Sequence, residues 1–242
     1  QLQKELGNTL YRDGYIIETT LDSRLQDIAE KHYKNEVERV EKNVNRYLSQ
    51  QDSSLGLPDS ASVQAAFIAM DPHTGQILAL IGGKDFASSK FNRATQSKRQ
   101  LGSVFKTYVY LTALTMGYDL NDKLEDSPIK KGEWLPKNYS KKYEGIISLD
   151  RAFAISSNVA AVRLSERIGR ENIIELTKKL GIVSDIKNNP SMALGVASFS
   201  LLETVGSFGA ICGNGIPVIP YGIEEIKLRN NNSIWKRDVP KR

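Results

Sequence analysis

The stretch Arg99-Gln100-Leu101-Gly102-Ser103-Val104-Phe105-Lys106 is the part of this chain whose reading decides the rest. Ser103 follows a glycine and opens a largely apolar run, Val104 to Met116, that contains no Pro or Gly. That pattern predicts a buried helix whose N-terminus lies near Ser103. Unpaired N–H groups and the helix dipole favour negative charge there. Lys106 stands one turn on, on the same face. Desolvation against apolar neighbours lowers an ammonium pKa, and a neutral amine beside a hydroxyl can take its proton. The spacing has a plainer reading as well, a capping serine followed by a solvated lysine. Ser127/Lys130, Ser184/Lys187 and Ser233/Lys236 repeat the spacing. The first precedes Pro128, the second a polar Asn188-Asn189-Pro190 stretch, and the third follows an Asn run. Only Ser103 opens a long apolar helix.

Around this stretch, 242 residues give room for one large domain or two small ones. The net charge of +5 fits nucleic acid, an anionic membrane or an anionic polymer without choosing among them. Cys212 is the lone cysteine, which excludes an intrachain disulfide and a cysteine metal cluster. His32 and His73 are the only histidines, which argues against a histidine-rich zinc site and against a Ser-His-Asp triad. A serine nucleophile here needs another base. No metal or cofactor is expected. No run is long enough to span a bilayer, and the first residues do not read as a signal peptide. The chain reads as a piece of a longer protein.

Along the chain, Tyr15–Thr20 is β-branched and strand-like. Asp22 or Ser23 caps a charged helix from Leu21 to about Tyr47, with Leu25, Ile28, Ala29, Tyr33, Val37, Val40 and Val44 as its apolar stripe. Ser49–Ser62 reads as a loop or linker. Val63–Met70 and Gln76–Ile81 read as strands joined by the turn Asp71-Pro72-His73-Thr74-Gly75. Lys84–Lys98 reads as a polar loop, and Gly117 ends the Ser103 helix. Asn121–Gly145 is loop-like; Lys130, Lys131, Lys137, Lys141 and Lys142 lie among Trp134, Tyr139 and Tyr143 there, with no nucleic-acid motif. A helix from Ser148-Leu149-Asp150 breaks at Ser156-Ser157-Asn158 and resumes over Val159–Ile168. Those three residues can cap helices, or can aim a hydroxyl and an amide into a cleft. Ile173–Leu180 and Leu201–Cys212 read as further helices, and the remainder as strand fragments and a charged tail.

Ser-x-x-Lys opening an apolar helix, with Ser-x-Asn between helices about fifty residues later, resembles the penicillin-recognising serine enzymes. Asn92-Arg93-Ala94-Thr95-Gln96-Ser97-Lys98-Arg99-Gln100, leading into Gly102-Ser103-Val104-Phe105-Lys106, resembles the transpeptidase domain of class A penicillin-binding proteins. So do Asp71-Pro72-x-Thr74-Gly75, Trp134-x-Pro136-x-Asn138-Tyr139 and Pro190-Ser191-Met192-Ala193-Leu194-Gly195. Ile17-Glu18-Thr19-Thr20-Leu21-Asp22 is similar to the segment joining glycosyltransferase to transpeptidase. The resemblance implies an α+β fold, an antiparallel sheet with helices packed on it. It implies a linker region over residues 1–60 and a transpeptidase domain over residues 61–242.

The same resemblance implies roles. Ser103 attacks the penultimate D-Ala carbonyl of a peptidoglycan stem peptide, with Lys106 as base. Ser156 relays a proton to the leaving amine, and Asn158 holds the peptide, with Ser157 beside it. The acyl-enzyme then passes to an amine acceptor, β-lactams acylate Ser103, and nucleic acid is not a partner. The parent protein is expected to be membrane-anchored, attached to a glycosyltransferase, and placed on the outer side of the cytoplasmic membrane of a bacterial cell. Leu101, Val104 and Thr107 depart from the family's usual Pro, Ser and Pro around the motif. The third family motif, Lys-Thr/Ser-Gly, has no match after Ser156; His73-Thr74-Gly75 mimics it but precedes Ser103, in a turn. A transpeptidase domain truncated before that motif, and impaired by itself, is the expectation. A β-lactam sensor or hydrolase, or a non-catalytic relative of the same fold, are the alternatives.

Overall fold

The computed structural model describes residues 2, 6–51, 63–129 and 134–238. In chain order the elements are β1 (Ile16–Thr19), α1 (Ser23–Gln51), β2 (Phe67–Met70), β3 (Ile77–Ile81), β4 (Lys98–Gln100), α2 (Lys106–Thr115), β5 (Lys123–Asp126) and β6 (Gly145–Ser148). They continue with α3 (Leu149–Ala154), α4 (Asn158–Ile168), α5 (Arg170–Lys179), β7 (Ser198–Ser200), α6 (Leu201–Cys212), β8 (Ile223–Lys227) and β9 (Ser233–Lys236). All the strand pairings between these elements are antiparallel. The chain forms two units: residues up to Gln96 with those from Phe208 onward, and Ser97–Ser207.

In the first unit, β1 pairs with β8 and β9 pairs with the other edge of β8, while β2 and β3 form a hairpin. The hairpin turn is held by Asp71, whose Oδ1 accepts from the N–H groups of His73 (2.7 Å) and Thr74 (2.9 Å). Asp22 caps α1, its Oδ1 accepting from Arg24 N–H at 2.9 Å and Leu25 N–H at 3.2 Å. Gln26 then ties α1 to β3. Its Oε1 accepts from Leu80 N–H at 2.9 Å and its Nε2 donates to the Leu80 carbonyl at 3.1 Å. The apolar stripe of α1 is covered in part: Val37 is buried, whereas Leu25, Ile28 and Val40 stay exposed.

The second unit is built on the helix that follows Ser103. Phe105, Tyr108, Val109 and Ala113 have no solvent exposure. Phe105 stacks on Phe199 at 6.2 Å and meets Tyr108 edge-on at 5.3 Å. Tyr108 Oη and Ser207 Oγ, both buried, lie 2.6 Å apart. The start of α6 is a capping box. Ser200 Oγ accepts from Glu203 N–H at 3.1 Å, and Glu203 Oε2 accepts from Ser200 N–H at 3.0 Å. Glu203 also accepts from Ser184 N–H and Oγ; these bonds outweigh burial and hold its carboxyl below the usual range.

Two stretches read as loop, Lys84–Lys98 at its last residue and Asn121–Gly145 in part, give way to strands. Lys98–Gln100 pairs with Ser198–Ser200, and Lys123–Asp126 pairs with Gly145–Ser148. Both segments are rich in charge, and pairing partners distant in sequence decide them. Most of the stretch expected as a loop over Ser49–Ser62 lies outside the described residues, as do Lys130, Lys131 and the end of the charged tail. Removing the ring that centres the second unit tests its core. Phe105→Ala is expected to lower stability by about 3–5 kcal/mol, read as a lower urea midpoint.

Candidate active site

Ser103 lies in a single 3-10 turn, Gly102–Phe105, that runs directly into α2 at Lys106. The apolar run supplies the buried face, so Phe105 and Lys106 point inward while Ser103 and Val104 remain exposed. Gly102 adopts a left-handed φ of +55°, and its N–H donates to the Gly195 carbonyl at 3.1 Å. The backbones approach so closely here that a Cβ on Gly195 would lie 2.1 Å from the Gly102 carbonyl oxygen. Gly195 is therefore the wall behind the serine turn, and a side chain there pushes the turn out of place.

Lys106 is 1% exposed. Its Nζ donates to the Ser156 carbonyl at 2.6 Å, to Ser156 Oγ at 3.0 Å and to Asn158 Oδ1 at 2.6 Å. These use all three ammonium protons. Burial nonetheless pushes the ammonium down to about 8, because an apolar surround disfavours charge. Ser103 Oγ makes no hydrogen bond to Lys106 or to any other described residue.

The turn that meets Lys106 joins two helices through Ile155, Ser156 and Ser157. The Ser156 N–H donates to the Phe153 carbonyl at 2.9 Å and the Ser157 N–H to the Ala152 carbonyl at 3.0 Å. That pair of bonds is a Schellman motif ending α3. Its left-handed position, usually glycine, is Ser156, with φ +53°. Ser156 thus carries backbone strain that a glycine would not. The strained conformation presents both its carbonyl and its hydroxyl to Lys106.

Ser103, Lys106, Ser156 and Asn158 are thus carried on one serine turn, one helix and one interhelical turn, and Lys106 joins the last two directly. Ser157, expected beside the substrate, does not join them. It is 2% exposed and is the N-cap of α4. Its Oγ accepts from Ala160 N–H at 3.0 Å and lies 2.7 Å from Asp126 Oδ1. Alternation along the turn sends Ser156 and Asn158 to one side and Ser157 inward.

Comparison with known proteins bears on this arrangement. The model of the penicillin binding protein transpeptidase domain matches residues 65–239. The chain belongs to the penicillin-binding protein transpeptidase family. Penicillin-binding protein 1A of Rickettsia typhi is 38% identical over 182 residues, which is 73% of this chain and 23% of that protein. The chain spans about a quarter of the length of the curated relatives it matches. Among solved structures, penicillin-binding protein 1A from Haemophilus influenzae shares the fold, with TM-score 0.84 and 23% identity over 98% of this chain and 48% of that one. Penicillin-binding protein A from Mycobacterium tuberculosis, solved as a penicillin G acyl-enzyme complex, gives TM-score 0.72 and 19% identity, covering 100% of this chain and 62% of that one. The α+β architecture is that of penicillin-binding transpeptidase domains.

Sequence reasoning about this penicillin-binding family member misses one feature of the site, the side chains behind the Ser156 turn. Asp126 is fully buried and Asn138 nearly so. The alternation Lys123-Leu124-Glu125-Asp126 is the available signal, because it puts Leu124 and Asp126 on the inner face. The strain at Ser156 gives a direct test. Ser156→Gly and Ser156→Ala both remove the hydroxyl, but only Ala keeps a Cβ in the left-handed region. Ser156→Gly is expected to be the more stable variant by about 1 kcal/mol, measured as a difference in urea unfolding.

Proposed function

We propose that the protein to which this chain belongs carries out serine acyl transfer on D-Ala-D-Ala peptidoglycan stem peptides, with Ser103 as nucleophile, and that residues 1–242 by themselves are impaired in it. The observation that carries this reading is Lys106: a buried amine with depressed pKa, one turn after an exposed serine and held by Ser156 and Asn158. Family membership supports it. When Lys106 loses a proton it keeps two N–H donors and gains one lone pair. In that form it serves as general base. Ser103 Oγ bonds to the carbonyl carbon of the penultimate D-Ala as its proton passes to Lys106 Nζ. The resulting tetrahedral intermediate collapses, the C–N bond to the terminal D-Ala breaks, and the leaving amine takes a proton through Ser156 Oγ. An amine on a neighbouring strand then displaces Ser103, forming the cross-link. Asn158 holds the peptide by its amide in this reading; it is half-buried, with its Nδ2 donating to the Lys137 carbonyl at 2.9 Å.

β-Lactams acylate Ser103 by opening their ring amide and remain attached. The M. tuberculosis relative of the same fold, described as a penicillin G acyl-enzyme, supports this part. For the whole protein, we propose action in the bacterial cell envelope on the outer side of the cytoplasmic membrane, with a glycosyltransferase joined through residues 1–60. The greater length of the curated relatives supports a larger whole. Among the described residues, no helix is long and apolar enough to cross a membrane.

Intact-mass measurement with peptide mapping tests the nucleophile. Penicillin is expected to add one adduct to Ser103, and Ser103→Ala is expected to show none. A full-length wild-type protein that forms no adduct, or forms one elsewhere, overturns the assignment, whereas an adduct in the full-length protein that is lost in residues 1–242 alone is the mark of an impaired fragment. The base has its own signature. Below about pH 8 the ammonium dominates, so the acylation rate should fall about ten-fold for each further pH unit and level off above it. A rate flat from pH 6 to 9 argues against Lys106 as base.

A further inference from the structure

The acyl-transfer reading gives no part to the buried polar cluster behind the Ser156 turn. Asp126, at the end of β5, has no solvent exposure. Its Oδ1 accepts from Asn138 Nδ2 at 2.7 Å and from Ser157 Oγ at 2.7 Å, and its Oδ2 accepts from Glu144 N–H at 2.9 Å. Asn138 is 7% exposed. Its Nδ2 also donates to the Lys142 carbonyl at 3.0 Å. Its Oδ1 accepts from the N–H groups of Asn158 at 2.9 Å and Val159 at 3.2 Å.

Those two N–H groups belong to the first residues of α4 and have no partner within the helix. Asn138 therefore caps α4 from a loop about twenty residues earlier, alongside the local cap Ser157. Its orientation is forced. The helix N-terminus demands an acceptor and the Asp126 carboxylate demands a donor, and a carboxamide supplies one of each. The negative charge of Asp126 also sits close to the start of α4, where the helix dipole favours it. Asn158 is gripped at two points, its backbone N–H by Asn138 and its side-chain Nδ2 by the Lys137 carbonyl. Its remaining polar side-chain atom, Oδ1, is the one that accepts from Lys106.

We propose that Asp126 and Asn138 are positioning residues for the reaction: Asp126 orients the Asn138 amide, and that amide clamps the start of α4 so that Ser156 and Asn158 present their oxygens to Lys106. The inference rests on reading Ser103 and Lys106 as the acyl-transfer pair. A cluster of this kind also contributes stability, so the test must separate the two roles.

The experiment measures the acylation rate of Ser103 by a fluorescent penicillin between pH 6 and 10, with melting temperature, on the full chain as the cell makes it. Asn138→Ala and Asp126→Asn are compared with wild type. Asp126→Asn removes no heavy atom and serves if Asn138→Ala does not fold. The expected result is a folded variant acylated about 10- to 100-fold more slowly. Its pH midpoint should move up from about 8 as water reaches Lys106. Asn138→Asp, which sets two carboxylates face to face, should be impaired more than Asn138→Ala. Adding Asp126→Asn to Asn138→Asp should recover part of the rate, because a donor again faces an acceptor. Folded variants with wild-type rate and midpoint overturn the proposal. If neither single variant folds, or melting falls while rate and midpoint stay unchanged, the cluster acts on stability alone and the proposal also fails. A wild-type chain that is not acylated on Ser103 is a different result: it removes the acyl-transfer reading itself.

Discussion

A lysine ammonium buried among three oxygens is the constraint on which the site depends. Lys106 sits on the inner face of α2, where little water reaches it, and Ser156 and Asn158 supply every acceptor its protons need. Burial and hydrogen bonding pull in opposite directions. Desolvation weakens the charged form, while three well-placed oxygens hold it. Burial leaves the amine near 8, low enough for it both to lose and to regain a proton. An exposed lysine has too high a pKa for this, and a buried lysine without acceptors would be an unsatisfied polar group in the core.

Meeting that demand shapes the backbone around it. The Schellman turn after α3 places Ser156, a residue with a Cβ, in a conformation that glycine adopts more easily. The strain is local and modest, and in return one residue offers the lysine a carbonyl and a hydroxyl together. Next to it Ser157 turns inward and closes the helix end. The turn therefore divides its work by alternation, the outer residues facing Lys106 and the inner one facing Asp126 and Asn138. A parallel economy holds the serine. Gly195 and Gly102 let two backbones meet with no side chain between them, so the turn bearing Ser103 is backed by main chain.

Much of this is legible in residue order. The apolar run after Ser103 foretells a helix, Gly117 its end, and Asp22 or Ser23 the cap of α1, of which the structure uses Asp22, because each signal is local. The hairpin from Phe67 to Ile81 follows from Asp71 and Gly75 punctuating two apolar segments. Lys98, at the end of a stretch read as polar loop, and Lys123–Asp126, inside another, fall in strands, since a short charged segment becomes a strand only through a partner far along the chain. The family resemblance sets Ser157 beside the substrate together with Asn158, whereas the fold buries it as the cap of α4. Nothing in the order of residues says which of two adjacent serines faces outward.

The sequence by itself determined the chemistry available to this protein: a serine and a lysine one helical turn apart, a Ser-Ser-Asn break, two histidines and a single cysteine. Residue order sets Ser103 one turn before Lys106; the spacing by itself also fits a capping serine and a solvated lysine. Tertiary structure alone decided that Lys106 turns to Ser156 and Asn158. It alone decided that Asp126 and Asn138 stand behind the turn. These contacts join residues separated by tens of positions, and their strength comes from exclusion of water, a property of the packed chain.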